Sequence, residues 1–197
     1  MPGYEFDVFI SYTRSGNPYD WMRNNFLPRL KACLADQFAN EPKVFIDEEM
    51  DRGANWPHRL ENALNRSKIM VAVFSPQFFR SPWCRAEWDT MVARERLFGL
   101  NTAEQPQGLI YPVLFSDSEN FPDFARRRSW RDFTDFNQPD LVFQQTIKWP
   151  DFHTEVEKVA IDLDKLLPRV PDWQPGWPAH RPEGLPYRTA TPLPRFS

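Results

Sequence analysis

The stretch that decides the fold is IMVAVFSPQFFRSPWCRAEWDTMVAR, residues 69 to 94. Residues 69 to 74 form an unbroken apolar run rich in β-branched side chains, which is typical of a strand covered on both faces in a parallel sheet. Ser75-Pro76 ends the strand, and a short loop is expected to follow it. Ser81 is a good helix N-cap and Pro82 is tolerated at the first helical position, so the pattern predicts a helix from there.

Glu87 is the residue of this helix that most needs an explanation. Trp83, Cys84 and Met91 lie three or four positions away from it, so they share its side of the helix. A solvated helix glutamate is the alternative, but these neighbours favour a buried carboxylate, which is costly unless it is paired or functional. Open α/β sheets bind ligands near the carboxyl ends of their strands, where this helix begins. Glu87 is therefore the candidate catalytic residue.

Composition bounds the function. The 197 residues are 41% hydrophobic and 15% aromatic, which is enough for one domain with its own core. A net charge of −3 gives no basic footprint for nucleic acid. No apolar run has the length of a membrane span and no signal peptide is evident, so we expect a cytoplasmic protein without a membrane partner. Cys33 and Cys84 lack metal-ligand spacing, so no metal site is expected.

Strands and helices alternate along the chain. Strands are predicted at residues 4–12, 43–47, 69–74 and 109–115, with a short fifth strand near 130–133. Helices are predicted over 19–38 with a kink at Pro28, from an Asn55 cap with Pro57 in the first turn, from Ser81, and over 152–167. The order predicts a single α/β domain with a flavodoxin-like parallel sheet, strand order 2-1-3-4-5, and helices on both faces. Pro112 predicts an edge position, a bulge or a strand start.

The C-terminal part of the chain differs in composition. Residues 1–167 are assigned to the domain and residues 168–197 to a proline-rich tail or linker. The tryptophans of the tail predict that it packs on the domain or leads to a partner or a further domain.

Three alternative interpretations are excluded because their motifs are missing. A phosphoacceptor receiver domain needs acidic residues after the first and third strands, where this chain has Ser11-Tyr12 and Ser75-Pro76. A calcium loop of the EF-hand type needs glycine at its sixth position, which is Arg52 when counted from Asp47. A dinucleotide-binding Rossmann domain needs GxGxxG after the first strand, and the sequence has none there.

Three motifs in order resemble the TIR domain family. FDVFISY at residues 6–12 resembles its first motif, and KVFIDEEMDRGANW at 43–56 resembles its second strand and BB loop. The run from Ser75 through SPWCRAEW resembles the motif of the NAD-cleaving subgroup and places the catalytic glutamate at Glu87. The resemblance covers roughly residues 4 to 167. The chain looks most like a bacterial TIR domain of the kind used in antiphage defence.

The resemblance implies cleavage of the nicotinamide–ribose bond of NAD+, which is then the substrate, with no cofactor needed. Sugar glycosidases usually use two carboxylates, one of them to protonate the leaving oxygen. Nicotinamide leaves a cationic pyridinium as a neutral molecule without a proton, so one carboxylate is enough. Glu87 would hold the ribose hydroxyls and stabilise the developing positive charge. The product, whether ADP-ribose, a cyclic isomer or a conjugate, stays open.

Further residues are expected to bind NAD+ through stacking, phosphate pairing and hydrogen bonds at strand ends and helix starts. These are Ser11, Tyr12, Arg14, Asp47, Trp56, Ser81 and Trp83. Each has a structural alternative: the tryptophans can belong to the core, Asp47 can brace the BB loop, and Arg14 can simply be exposed.

A non-catalytic TIR module that signals through self-association is the alternative function. Association and catalysis can also coexist, so a TIR–TIR homo-oligomer is expected on activation, with the BB loop of one copy closing the cleft of the next. A sensor or effector protein, or a fused domain, is a further expected partner.

Overall fold

The computed structural model describes residues 3–47, 56–103, 108–117 and 121–182, with the backbone alone at position 56. The strands are β1 Phe6–Ser11, β2 Val44–Phe45, β3 Ser67–Phe74, β4 Ile110–Leu114 and β5 Arg131–Asp132. The helices are α1 Asn17–Trp21, α2 Leu27–Gln37, α3 Trp56–Asn65, α4 Pro76–Arg80, α5 Pro82–Leu97, α6 Asp123–Arg126 and α7 Trp149–Leu166. Short 3₁₀ turns follow at Thr134–Phe136, Leu141–Gln145 and Leu167–Arg169.

The described strands form one parallel sheet in the order β2-β1-β3-β4-β5. This confirms the predicted flavodoxin-like topology, including the short fifth strand. Parallel pairing places all carboxyl ends on one edge, so the loops after β1, β2 and β3 start side by side. The residues that the sequence analysis selected lie in or beside those loops.

Both faces of the sheet are covered, which explains the unbroken apolar run in β3. Alternate residues point to opposite sides. Ile69, Val71 and Val73 pack into a cluster with helices α1, α2 and α7. Met70 and Phe74 pack into a second cluster with α3, α4 and α5. Helix α5, which carries Glu87, is thus seated by the second of these two cores.

One helix prediction differs in detail from the structure, and one cannot be compared with it. Residues 17–37 are helical throughout, but Met22–Phe26 form a π-helical turn between α1 and α2. Pro28 has no N–H to continue the hydrogen-bond ladder, and the π-helical turn lies just before it. The predicted Asn55 cap lies outside the described residues.

The loop predicted after Ser75 is a helix. Pro76–Arg80 form α4, and the Ser75 hydroxyl accepts a hydrogen bond from the Phe78 N–H at 3.2 Å. Ser-Pro is an N-cap signal here, as it is at Ser81-Pro82. Phe78 and Phe79 are buried in the second core, so the helix is needed to bring two adjacent aromatic rings to the sheet.

Two of the three alternatives predicted from Pro112 are wrong. The proline is not on an edge strand, because β4 lies between β3 and β5, and it does not start the strand, because β4 begins at Ile110. The Phe115 N–H donates to the Phe74 carbonyl on β3, so by alternation the nitrogen of Pro112 faces the β5 side. The pairing with β5 begins only at Val113. The proline therefore sits where no ladder hydrogen bond is required.

Within the described residues, no helix has the length and apolar content that a membrane crossing requires. The same residues hold no group of three or more His, Cys, Asp and Glu side chains arranged for a metal ion. Cys33 and Cys84 are both buried free thiols.

A buried ion pair fixes the far end of α5. Glu95 is 2% exposed, pairs with Arg128, and accepts the backbone N–H of Leu109 at 2.7 Å. One group thus joins α5 to the start of β4 and to the turn after α6. This contact helps to hold the helix of Glu87 at a fixed height against the sheet.

Removing one partner of this pair should destabilise the fold strongly. Arg128→Met leaves the Glu95 carboxylate buried without its cation, and we expect the free energy of unfolding to fall by about 3–5 kcal/mol. In the double variant Glu95→Gln with Arg128→Met no charge is buried and the Leu109 bond is kept, so the loss should be much smaller. Denaturant unfolding of both variants measures this. Equal losses in the two variants would contradict the account.

Candidate active site

Glu87 and Ser11 meet at the carboxyl edge of the sheet. Ser11 is the last residue of β1, and its hydroxyl donates to Oε2 of Glu87 at 2.5 Å. Glu87 lies in the second turn of α5 and is 6% exposed, which confirms the burial inferred from its apolar neighbours. Ser81 fixes the start of that helix, because its hydroxyl accepts the Cys84 N–H at 3.3 Å.

The burial of Glu87 changes its acidity. Removal from water disfavours the charged form and raises the pKa of Glu87 to about 7, although the Ser11 hydrogen bond and the positive charge of Arg14 act in the opposite direction. At neutral pH the carboxyl is therefore divided between its two protonation states. Strongly shifted carboxyls of this kind are concentrated at functional sites.

A second group of polar residues, formed by Arg14 and Asp47, lies beside the Ser11–Glu87 contact. Arg14 pairs with Asp47, whose backbone carbonyl accepts the Tyr12 hydroxyl at 2.9 Å. Arg59, from α3, approaches the other Asp47 oxygen at 3.6 Å. Asp47 is 5% exposed and is held by two guanidinium groups. These contacts support its bracing role between the loop after β1 and the segment after β2.

Cys84 links the helix of Glu87 to the loop of Tyr12 and Arg14. Its thiol donates to the Tyr12 carbonyl at 3.4 Å, one turn of α5 before Glu87. Burial raises the pKa of the Cys84 thiol, with the charge of Glu87 adding to the effect, so the sulfur stays protonated. The three-residue spacing between Cys84 and Glu87 predicted a shared helix face, but it did not predict the contact with Tyr12.

The remaining predicted binding residues are placed less directly. Trp83 lines a cavity together with Glu87, between α3 and α5. The hydroxyl of Ser81 serves as the cap of α5. The side chain of Trp56 lies outside the described part of the chain.

Two residues of this cavity come from the tail and escaped sequence reasoning. The cavity measures about 20 Å³, and His180 and Arg181 line it together with α3 and α5. No local pattern could have indicated them, since they lie more than 90 positions from Glu87 in sequence, and only the tertiary path of the tail brings them there.

Comparison with known proteins identifies the family of this chain. A family model described as TIR domain matches residues 8–167. The chain belongs to the TIR domain family. Its relatives include the disease resistance-like protein DSC1 of Arabidopsis thaliana, 30% identical over 139 residues, which are 71% of this chain and 10% of the relative. Toll-like receptor 4 of Pinctada imbricata is 22% identical over 156 residues, 75% of this chain and 16% of the receptor.

The TIR domain therefore spans only a small fraction of these relatives. Among solved structures, the TIR domain of the Toll-related receptor TRR-2 from Hydra magnipapillata is similar, with 19% identity and a TM-score of 0.48, covering 77% of this chain and 98% of that one.

The acidity of Glu87 should be visible in the stability of the TIR domain. The folded pKa of about 7 lies above the ordinary value of 4.5, so the folded state binds this proton more tightly. The stabilisation of the folded state by this proton is complete below pH 4.5 and is lost as the pH rises through 7. Between about pH 5 and pH 8, the unfolding free energy of the parent should fall by about 2 to 3 kcal/mol more than that of Glu87→Gln.

Denaturant titrations of both proteins at the two pH values provide the measurement. Asp89→Asn, an exposed change on the same helix, is the control and should follow the parent. A parent and a Glu87→Gln variant with parallel pH dependence would contradict the raised pKa.

Proposed function

We propose that this TIR domain is an NAD+ nucleosidase with Glu87 as its catalytic carboxylate. The observation that carries the proposal is the buried carboxyl group of Glu87 at the carboxyl edge of the sheet, which accepts the Ser11 hydroxyl at 2.5 Å and has its pKa raised to about 7. The resemblance of the SPWCRAEW run to the NAD-cleaving subgroup supplies the substrate. NAD+ is a substrate here, and the reaction needs no cofactor.

The proposed reaction requires one negatively charged group beside the ribose. The bond between the anomeric carbon and the nicotinamide nitrogen breaks, and its electron pair goes to nitrogen, so nicotinamide leaves neutral. In this proposal, ionised Glu87 accepts hydrogen bonds from the ribose hydroxyls and stabilises the cationic ribose. Water then adds to that carbon and loses a proton, which gives ADP-ribose. Capture by a nucleophile of the substrate itself or of another molecule gives a cyclic isomer or a conjugate.

The other candidate residues have roles set by their contacts. Ser11 fixes the orientation of the carboxylate, and Arg14 contributes the positive charge that favours its ionised form. Trp83 offers an aromatic face beside Glu87 for the pyridine or adenine ring. The proposed substrate-binding set remains Ser11, Tyr12, Arg14, Asp47, Trp56, Ser81 and Trp83.

The biological setting proposed is immune signalling of the antiphage type, in which the cleavage product or the loss of NAD+ is the signal. A disease resistance-like protein and a Toll-like receptor among the relatives support an immune context. Self-association on activation, with a sensor or effector protein or a fused domain as trigger, belongs to the same proposal. A non-catalytic TIR module that signals through self-association is the alternative, and the first assay distinguishes the two.

Nicotinamide release from NAD+ by the purified protein should depend on Glu87. Glu87→Ala and Glu87→Gln should lower the rate at least about 100-fold, because the charge that stabilises the transition state is lost. Asp89→Asn should keep the parent rate. The product mass separates hydrolysis from cyclisation. If the folded parent shows no turnover, even at high concentration with a crowding agent, the result would favour the non-catalytic TIR module.

The pH profile of this reaction should report the environment of Glu87. If the ionised form acts, kcat/KM rises with pH to a plateau above the pKa of about 7. Arg14→Gln removes a charge that lowers this pKa, so its midpoint should move to higher pH and its rate near neutrality should fall. Arg59→Gln also loses a contact with Asp47 and is the matched control. Midpoints that move together in both variants would contradict the role of Arg14.

A further inference from the structure

The segment Pro171–Pro182, here called the strap, runs along the groove between α3 and α5. Near the start of its path, the indole N–H of Trp173 donates to the Asn65 carbonyl at the end of α3, at 3.2 Å. The ring of Trp177 then stacks on the guanidinium of Arg94 in α5, with 3.8 Å between Cζ of Arg94 and the ring centroid. Further on, the backbone N–H of His180 donates to the Thr90 hydroxyl at 2.9 Å.

The strap follows the face of α5 that carries Glu87. Thr90 and Arg94 lie three and seven positions after Glu87, which places the three side chains in one row. The strap contacts this row from Arg94 to Thr90 and so approaches Glu87. Arg181 closes the path across the groove through an ion pair of 2.7 Å with Glu61 on α3. The strap thus bridges both helices next to the carboxyl.

The strap fills the space that a ligand would need on this side of Glu87. His180 and Arg181 line the cavity beside the carboxyl, and the cavity measures about 20 Å³. That volume admits about one water molecule. Pockets for small organic ligands measure roughly 300–1,000 Å³. A ribose with its pyridine cannot enter between α3 and α5 while the strap is seated.

The seating of the strap is imperfect. The indole nitrogen of Trp177 and Nε of Arg94 are both buried and find no hydrogen-bond partner within the described residues. Such atoms recover hydrogen bonds to water on exposure, which favours release of the strap. The pair of Arg181 and Glu61 is partly exposed, so it holds the strap only weakly.

We propose that the strap is an autoinhibitory element: seated, it closes the groove beside Glu87, and its release opens that side of the site to substrate. The proposal rests on the function proposed above.

Charge reversal in the full chain tests the strap. Arg181→Glu and Glu61→Arg each replace the attraction by repulsion and should raise the rate of nicotinamide release about 3- to 10-fold. The double variant, with the charges exchanged, should return to the parent rate. Lys158→Glu, which reverses an exposed ion pair on α7, should leave the rate unchanged.

A second readout does not depend on NAD+. Ala86 lines the same cavity and is 5% exposed. In an Ala86→Cys background, a small thiol reagent should label position 86 faster in each single reversal and at the parent rate in the double variant, with the label located by peptide mass. Unchanged labelling would overturn the strap as a gate, whatever the activity. Faster labelling with no gain in an active enzyme would overturn its inhibitory role.

The two readouts separate the two proposals. If labelling follows the reversals and no variant, the parent included, releases nicotinamide, the gate stands and the nucleosidase proposal fails. If the parent cleaves NAD+ and neither readout responds, the nucleosidase stands and the gate fails.

Discussion

The structure around the site depends on one contact, the hydrogen bond from the Ser11 hydroxyl to the Glu87 carboxyl. It joins the end of a central strand to the second turn of a helix 76 positions later in the chain. A carboxyl at this depth is costly to ionise, and one hydroxyl together with the positive charge of Arg14 compensates only part of that cost. The result is a group whose charge depends on small changes in its surroundings.

This contact is possible because α5 is held at both ends. The Ser81 cap starts the helix just after α4, and the pair of Glu95 and Arg128 fixes its last turns to the start of β4. Between them, Trp88 and Met91 are buried in the core below the sheet. The helix can therefore hold an energetically unfavourable carboxyl at one position without shifting to relieve it.

The same helix serves three purposes along different faces. One face packs on the sheet, one turn carries Glu87, and the row from Glu87 through Thr90 to Arg94 receives the strap. Access to the carboxyl and the seating of the strap thus share a single rigid element. Thr90 and Arg94 lie about one and two helical turns after Glu87, so the two sites are close together on this helix.

The sequence by itself determined the sheet order, the buried third strand, the cap of α5 and the burial of Glu87, because each follows from local signals: hydrophobic period, Ser-Pro pairs and three- or four-residue spacing. The Ser75-Pro76 pair is a local cap signal of the same kind, although a loop was predicted where the helix Pro76–Arg80 lies. The sequence could not show that Pro112 lies in an inner strand, or that Asp47 is held by two arginines. Only the tertiary structure decided these points and the seating of His180 and Arg181 beside Glu87. They depend on contacts between residues far apart in sequence, and no local pattern encodes which distant side chain will fill a given space.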